Sequence, residues 1–349
     1  MSTTTPRRRL IAIAGLIAAV PLALTACTNS SDDGDDTSNA SNTGSGDNAE
    51  AGDTVRIGFS APAADHGWMG AITSAAVDQA DAFEDVELIN AEGTNDVNLQ
   101  ISQVETFIND EVDAIVLLPF DGAAMTDVAT RAMEAGIPVI NVDREFDSPF
   151  AARSTVLGDN YGMGVSAGRF ICEQADGNTD AVVAEIAGID SLPLTQDRSR
   201  GFSDALKDCG LKVSNRVAAE FTVESGERAA ANLLQAAPKI DYLWNHDDDQ
   251  GVGVMAAIEN AGRDEFVMVG GAGSANVMRM IEADDTVLKA TVIYPSTQGA
   301  DGIKLARLIA QGKSMSDLAE VEVPRVIQLS APIVTKENVD QYMDSAFES

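Results

Sequence analysis

The sequence predicts an α/β protein with two lobes, each a parallel β-sheet flanked by helices. Short apolar runs alternate with helical stretches from residue 54 onward, which is typical of strand–helix–strand units and open parallel sheets. One run, AIVLL at 114–118, is apolar throughout, as expected of a strand that is covered on both faces. Roughly ten such strands exceed one comfortable sheet. Two sheets, and therefore two lobes, are expected.

The strand predictions begin in the first half of the chain and repeat in the second half. The first-half candidates are the apolar runs at 55–60, 86–90, 114–118 and 137–142. The second-half candidates are 181–186, 212–218, 242–244, 266–269 and 288–293. Between the second and third runs, apolar residues spaced by 4, 3 and 4 positions from Val97 to Ile108 lie on one face of a helix.

The charge balance excludes several classes of partner and site. The chain has 349 residues with 55 acidic and 23 basic side chains, a formal net charge of −32. Such a charge repels the phosphate backbone of nucleic acids and a bare anionic membrane surface. Two histidines and three cysteines are too few for a site that needs several imidazole or thiolate ligands. No nucleic-acid partner, no metal and no cofactor are predicted.

The N-terminus carries the pattern of an export signal. Three arginines, Arg7 to Arg9, precede an apolar run at 10–24, which indicates a signal peptide over residues 1–26 that is too short to span a bilayer. The run ends in Leu-Thr-Ala-Cys27, which resembles a bacterial lipobox and implies lipidation of Cys27 and a membrane anchor. The alternative is a soluble secreted protein with an incidental cysteine. Residues 27–52 are acidic and polar, and a disordered linker is expected there.

Two cysteines, Cys172 and Cys209, remain in the body of the chain. Outside the cytoplasm two such thiols can form a disulfide. The spacing alone leaves two alternatives open, a disulfide or two unpaired and partly buried thiols, because bond geometry cannot be deduced from spacing.

Polar and aromatic residues collect just after the predicted strands. Ligands of open parallel sheets bind at the carboxyl ends of the strands, so these residues are the binding-site candidates. They are His66, Trp68, Met69, Asp143, Arg144, Arg198, Phe221, Asp247 and Tyr294. Arginines donate hydrogen bonds to hydroxyl groups, aspartates accept them, and aromatic rings cover apolar C–H faces. This mixture suits a small polyhydroxylated ligand. Asp248 and Asp249 are expected only to begin a helix as solvated carboxylates.

Three kinds of sequence pattern would indicate a metal site, a phosphate site or a catalytic serine instead, and none of these sites is predicted in this chain. His246 with the neighbouring aspartates, together with Asp65-His66, lacks metal-site spacing such as HExxH or an EF-hand. The GGAG segment at 270–273 could cradle a phosphate, but Asn276 stands where a GxGxxG motif needs its third glycine. No catalytic serine triad is predicted. The protein is therefore not expected to be an enzyme.

Several colinear motifs resemble one family over residues 54 to about 315. They are IGFSxP at 57–62, VDAIVLLPFD at 112–121, EAGIPVINVDR at 134–144, GDNYGMG at 158–164, RSRGF at 198–202 and ATVIYP at 290–295. The chain resembles the sugar-binding lipoproteins and periplasmic proteins of ABC importers, in the ribose-binding-protein-like group. The resemblance implies two Rossmann-like lobes joined by a three-segment hinge, the periplasmic-binding-protein type I fold, with the ligand between them.

The resemblance also implies roles for single residues. Asp143 and Arg144 match the family pair that clamps sugar hydroxyls, Arg198 its second arginine and Phe221 its stacking phenylalanine. The polar and aromatic residues of the family's first loop fall on His66, Trp68 and Met69, its asparagine on Asp247, and its late glutamine near Tyr294. The family's aromatic–aspartate pair is replaced by Gly271 and Ala272. The departures favour a monosaccharide other than a ribose- or glucose-like pyranose, or an acyclic sugar alcohol.

The implied organisation assigns residues 53–157 and 295–325 to an N-terminal lobe, and residues 158–294 and 326–349 to a C-terminal lobe. Hinges are expected near 155–158, 293–296 and 324–327. The implied protein is an extracytoplasmic monomer that delivers its ligand to an ABC permease and its ATPase. Two rivals are a receptor of the same fold that signals to a membrane kinase or chemoreceptor, and a secreted enzyme. Regulators of this fold begin with a helix-turn-helix, whereas a lipobox stands there in this chain.

Overall fold

A computed structural model describes residues 48–319 and 321–349. The strands are β1 Val55–Ser60, β2 Val86–Asn90, β3 Ala114–Leu117, β4 Val139–Val142, β5 Ser154–Gly158, β6 Val183–Ala187, β7 Val213–Ala218, β8 Tyr242–Asn245, β9 Val267–Ala272, β10 Leu288–Ile293, β11 Val326–Leu329 and β12 Ile333–Thr335. The α-helices are α1 Gly67–Asp81, α2 Val97–Asn109, α3 Gly122–Glu134, α4 Asn160–Ala175, α5 Pro193–Asp208, α6 Val223–Ala236, α7 Asp248–Ala261, α8 Ala275–Ala283 and α9 Gln298–Ala310.

These strands form two six-stranded sheets. The first has the order β11-β5-β4-β3-β1-β2, and the second has the order β12-β10-β9-β8-β6-β7. All pairs are parallel except β10 with β12. Every residue of β3 and β4 is buried, because helices cover both faces of a parallel sheet. The prediction of two lobes, each a parallel sheet flanked by helices, is confirmed.

The chain passes between the lobes three times. It leaves the first sheet after β5, returns after β10 when α9 packs on α1 and on strands of the first sheet, and leaves again between β11 and β12. The predicted third boundary at 325/326 is wrong, because β11 pairs in parallel with β5 of the first sheet. The last crossing therefore lies at 330–332. The residues of β11 alternate between exposed and half-buried. The strand therefore lacks the continuous apolar run from which a central strand is predicted, and the predicted boundary falls before it.

The linker prediction is also wrong at its C-terminal end. The backbone oxygens of Asn48 and Glu50 accept hydrogen bonds from Arg307 at 2.7 and 2.8 Å, and the Gly52 N–H donates to Asp85. Arg307 pairs with both carboxylate oxygens of Asp85 at 2.7 Å. This buried ion pair of α9 thus fixes residues 48–52 to the first lobe. The signal peptide 1–26, the lipidation at Cys27 and residues 27–47 of the linker lie outside the described residues.

A disulfide joins two helices of the second lobe. Cys172 in α4 and Cys209, which directly follows α5, are bonded, with their Cα atoms 5.8 Å apart. Of the two alternatives that the spacing left open, the structure contains the bonded one. No helix within the described ranges 48–319 and 321–349 is long and apolar enough to cross a membrane.

Candidate functional site

A cavity lies between the carboxyl ends of the two sheets, and both lobes line it. The first lobe contributes residues that follow β1 and β4, and the second lobe contributes residues that follow β6 to β10. The lining residues are His66, Trp68, Asp143, Arg144, Leu194, Arg198, Phe221, Asp247, Ala272 and Tyr294. All but one of the predicted binding residues therefore lie at this cavity, because parallel strands place the residues that follow them at one edge of the sheet.

Asp143 and Arg144 form a donor–acceptor pair on the first-lobe wall. Asp143 has φ +65° in the left-handed region, directly after β4. One of its carboxylate oxygens accepts the Tyr294 hydroxyl, and the other lies 3.9 Å from Arg144 Nε. Arg144 Nη1 donates to the Phe120 backbone oxygen at 2.7 Å. The buried Nε has no hydrogen-bond partner within the described residues.

The Arg144 guanidinium is anchored at one end only. Phe120 accepts from Nη1, whereas Nε makes no hydrogen bond within the described residues. Burial lowers the pKa of Arg144, while the negative charge of Asp143 opposes that shift. A donor beside an acceptor can bind two neighbouring hydroxyl groups at once.

Arg198 provides the second guanidinium from α5. Its Nε donates to Asn160 Oδ1 at 2.9 Å and its Nη1 donates to the His246 backbone oxygen at 3.1 Å. The guanidinium carbon lies 4.4 Å from the centre of the Tyr294 ring and 5.8 Å from that of Phe221, which stabilises the buried charge by cation–π contact. Arg198 therefore has a fixed position before any ligand group meets it.

Three aromatic rings shape the cavity wall. Trp68 and Tyr294 pack with ring centroids 5.3 Å apart, and Trp68 Nε1 donates to the Tyr294 backbone oxygen at 3.1 Å. The Tyr294 hydroxyl accepts from Asn160 at 3.1 Å and donates to Asp143, and burial raises its pKa. Phe221 has φ +63° and its N–H donates to Gln250. These rings offer apolar faces between fixed polar groups.

Asp247 and His66 complete the polar lining. Asp247 caps α7 by accepting the Gln250 N–H at 3.0 Å. Burial raises the pKa of Asp247 well above its usual range, and the neighbouring Asp249 adds to the shift. The imidazole of His66 lies 2.6 Å from an Asp65 carboxylate oxygen. Carboxylate, imidazole and guanidinium groups thus line the same cavity.

The comparisons with known proteins agree with this architecture. Residues 57–314 match the family described as periplasmic binding protein domain. The chain belongs to the periplasmic binding protein family. Within that family it is of type I, as the paired parallel-sheet lobes with three crossings require.

Alignments with individual members of the family extend over most of this periplasmic binding protein. The ribose import binding protein of Bacillus subtilis (strain 168) is 30% identical over 66% of this chain and 73% of its own length. The xylitol-binding protein of Mycolicibacterium smegmatis is 26% identical over 95% of this chain and 86% of its own length. An ABC transporter solute-binding protein from Bacillus halodurans C-125, solved with bound myo-inositol, is 26% identical with a TM-score of 0.74 and covers 84% of this chain and 98% of that chain.

One predicted site residue of this periplasmic binding protein lies elsewhere. Met69 is 1% exposed and belongs to the core of the first lobe, not to the cavity wall. The reason is that α1 already begins at Gly67, so Met69 shares the buried helix face with Ile72 and Ala76. The prediction that Met69 reaches the cavity is wrong.

Three residues that build the site are not among the predicted binding residues. Leu194 and Ala272 line the cavity, and Asn160 holds both Arg198 and the Tyr294 hydroxyl. A signal existed for Asn160, since the GDNYG segment follows directly on a crossing between the lobes. Leu194 carried no polar or aromatic signal, and it lies in the first turn of α5.

The two aspartates expected to be solvated are buried instead. Asp248 is 0% exposed and accepts from the N–H groups of Gly271, Gly273 and Ser274 at 2.8 Å and from the Thr291 hydroxyl. It thereby shapes the end of β9, which carries Ala272, and the loop that follows. Asp249 is 2% exposed and accepts the Trp68 N–H from the opposite lobe at 2.8 Å. Both carboxylates therefore support the cavity from behind.

Proposed function

We propose that this periplasmic binding protein captures a monosaccharide or a sugar alcohol in the cavity between its lobes and delivers it to an ABC permease with its ATPase. The observation that carries the proposal is the pair formed by Asp143 and Arg144. A carboxylate oxygen and an unpartnered buried Nε lie 3.9 Å apart on one wall, and aromatic rings line the same cavity. Neighbouring hydroxyls on a carbon skeleton match both the polar pair and the apolar faces.

Capture follows from the contribution of both lobes to one cavity. A ligand that contacts Arg144 on the first lobe and Arg198 on the second stabilises the arrangement in which the lobes are together, because those contacts are lost when the lobes separate. The three crossings act as the hinge for this motion. Closure of two domains around a ligand is known for periplasmic binding proteins. The arrangement with the lobes together is the form that we assign to the permease.

The ligand class rests on what the wall offers and what it lacks. Ala272 lines the cavity at the place where the family pattern has an aromatic ring and a carboxylate. The Tyr294 hydroxyl already donates to one oxygen of Asp143. Fewer acceptors and a missing stacking face disfavour a glucose-like pyranose. The relative named for xylitol and the structure solved with myo-inositol support the inclusion of polyols among the candidates.

We also propose that the protein acts outside the cytoplasm, held at the cell membrane by lipid on Cys27. The lipobox and the family together support this location. The N-terminal peptide of the membrane-bound protein is expected to begin at Cys27 and to have a lipid-modified mass. An unmodified Cys27 in that peptide, measured by mass spectrometry, would contradict the anchor.

The ligand proposal is tested with a thermal-shift screen followed by titration calorimetry. Pentoses, hexoses, deoxy sugars, xylitol and myo-inositol are added to the purified protein, because a ligand that binds only the folded state raises the melting temperature. At 100 times Kd the expected stabilisation is about 2.7 kcal/mol. A hit must be recovered chemically unchanged, since turnover would indicate an enzyme. A folded protein with no shift across the panel contradicts the proposed ligand class.

Two variants make the test specific for the cavity. Arg198→Lys keeps the charge but cannot bridge Asn160 and His246 while facing the rings, so the shift produced by a hit should be lost. Arg200→Lys is the matched control, because Arg200 lies on the same helix with a largely exposed side chain that pairs with Asp197. A hit whose shift is equal in both variants would not bind in this cavity.

A further inference from the structure

The N-terminus of α1 is capped by the opposite lobe. Its N-cap residue, His66, makes no side-chain capping bond, and the first turn of α1 contains no acidic residue. The first N–H groups of a helix have no partner within the helix, and a carboxylate near them is favourable. Asp249, in the first turn of α7 on the second lobe, supplies that carboxylate by accepting the Trp68 N–H at 2.8 Å.

The contact between Asp249 and Trp68 is closely packed as well as charged. Asp249 is 2% exposed and Trp68 is 5% exposed. A Cβ on Gly67 would lie 2.6 Å from Asp249 Oδ1 and 2.6 Å from the Glu348 backbone oxygen. The φ angle of Gly67 is not in the left-handed region, so the backbone itself permits alanine there. Only the approach of the second lobe requires glycine.

Asp249 acts on the cavity without lining it. Trp68, whose N–H it accepts, lines the cavity and donates through Nε1 to the Tyr294 backbone oxygen. Every group in this contact belongs to the protein, so the contact needs no ligand atom. It joins the lobes in the same arrangement that brings Arg144 and Arg198 to one cavity.

We propose that Asp249 is a positioning residue that caps α1 across the lobes and so holds the lobes together around the cavity before a ligand arrives. This inference rests on the proposed function. Affinity for any ligand falls in proportion to the fraction of molecules in the binding-competent form. Loss of the contact should therefore weaken all ligands by the same factor, whereas loss of a residue that touches the ligand changes selectivity.

The test measures Kd by calorimetry for three probes, D-ribose, xylitol and myo-inositol, with the full-length protein. Asp249→Ala is expected to raise the Kd of each probe that binds by about tenfold, which corresponds to 1.4 kcal/mol. Asp96→Ala is the matched control, because Asp96 caps α2 within the first lobe by accepting the Asn98 and Leu99 N–H groups. That variant should melt at a lower temperature with Kd changed less than twofold.

A second variant separates the interlobe contact from charge and from folding. Gly67→Ala leaves every charge in place and favours the helix, since alanine is the better helix former. It is expected to raise Kd by the same factor for each probe while the melting temperature is unchanged or higher. Unchanged Kd values in Gly67→Ala, or Kd ratios among the probes that change in that variant, would overturn the proposal.

Hydrogen exchange decides the inference without a ligand. In the ligand-free protein, the amides at the start of α1 should exchange faster in Asp249→Ala than in the wild type, and equally slowly in Asp96→Ala and the wild type. Equal exchange in Asp249→Ala and the wild type would overturn the inference. If none of the three probes binds the wild type, these probes fail the proposed ligand class, and the exchange measurement still decides the role of Asp249.

Discussion

Removal of the Cys172–Cys209 disulfide is expected to destabilise the second lobe without affecting the ligand cavity. The bond closes a loop with a sequence separation of 37 residues. In the chain-entropy account, a loop of this length corresponds to about 4 kcal/mol of stabilisation at 25 °C. The bonded end of α5 lies about 16 Å from Arg198 along the helix, at 1.5 Å per residue. Stability and binding should therefore respond differently.

Urea denaturation measures the loss in the double variant Cys172→Ala/Cys209→Ala. The chain has two tryptophans, and in a Trp68→Phe background the emission of Trp244 reports the second lobe, where it is fully buried in β8. With a slope of about 2 kcal/mol per molar urea, the midpoint should fall by about 2 M. Addition of a reductant should lower the midpoint of the parent and leave that of the double variant unchanged.

Two outcomes would refute the disulfide reasoning. An equal urea midpoint in the parent and the double variant would mean that the loop closure contributes nothing to the stability of the second lobe. A loss of ligand affinity as large as the loss of stability, measured with the tryptophan at position 68 restored, would mean that the bonded ends of α4 and α5 position Arg198. The structure predicts no such loss of affinity, because Arg198 is held by Asn160 and His246.

Three further predictions concern the cavity, the first lobe and pH. Arg144→Ala should raise the Kd of a bound sugar or polyol at least tenfold in calorimetry with the far-ultraviolet circular dichroism unchanged, and near-normal affinity would contradict the site. Asp85→Asn leaves the Arg307 guanidinium, 1% exposed, without its counter-ion, so urea unfolding should show a loss of about 3–5 kcal/mol; a loss below 1 kcal/mol would contradict that account. Burial lowers the pKa of His246 below its usual 6.5, although the hydrogen bond with Glu185 opposes the shift. The contribution of His246 to the free energy of unfolding is therefore complete above pH 6.5 and falls below it by up to about 1.4 kcal/mol per pH unit, as the unfolded chain alone takes up the proton. Because the raised pKa of Asp247 acts in the opposite direction, the quantity to measure is the urea midpoint of the wild type minus that of His246→Gln. This difference should fall from pH 6.5 to pH 5.5, and a difference independent of pH would refute the prediction.

Most central strands could be predicted because helices cover both faces of the sheet. The runs that became β1 and β10 have the observed bounds, whereas β5, which lies between β4 and β11, was not predicted. The edge strands β11 and β12 are only 4 and 3 residues long and were not predicted, because so short a run is hard to distinguish from a linker. The longer edge strands β2 and β7 were predicted.

The polar half of the site could be predicted from position alone. Asp143 and Asp247 follow buried strands by one or two residues, and parallel strands deliver such residues to one edge. Met69 was misplaced because the start of α1 sets which of its residues face the core. Asp248 and Asp249 were misplaced because an acidic run at a helix start is usually solvated, and only the loop after β9 and the opposite lobe bury these two carboxylates.

The wrong prediction for Asp249 shows that two kinds of residue contribute to affinity. One kind contacts the ligand and can be found from the sequence, and the other joins the lobes and cannot. Groups that meet the ligand lie just after strands, so their positions along the chain indicate their role. The contact that joins the lobes links residues 181 positions apart and depends on a glycine, a backbone N–H and one carboxylate, none of which forms a motif. Two members of the family with identical cavity residues can therefore differ in Kd through such a contact alone. For this chain, measurements on Gly67→Ala and Arg144→Ala divide the binding free energy into the part due to the lobes meeting and the part due to the ligand itself.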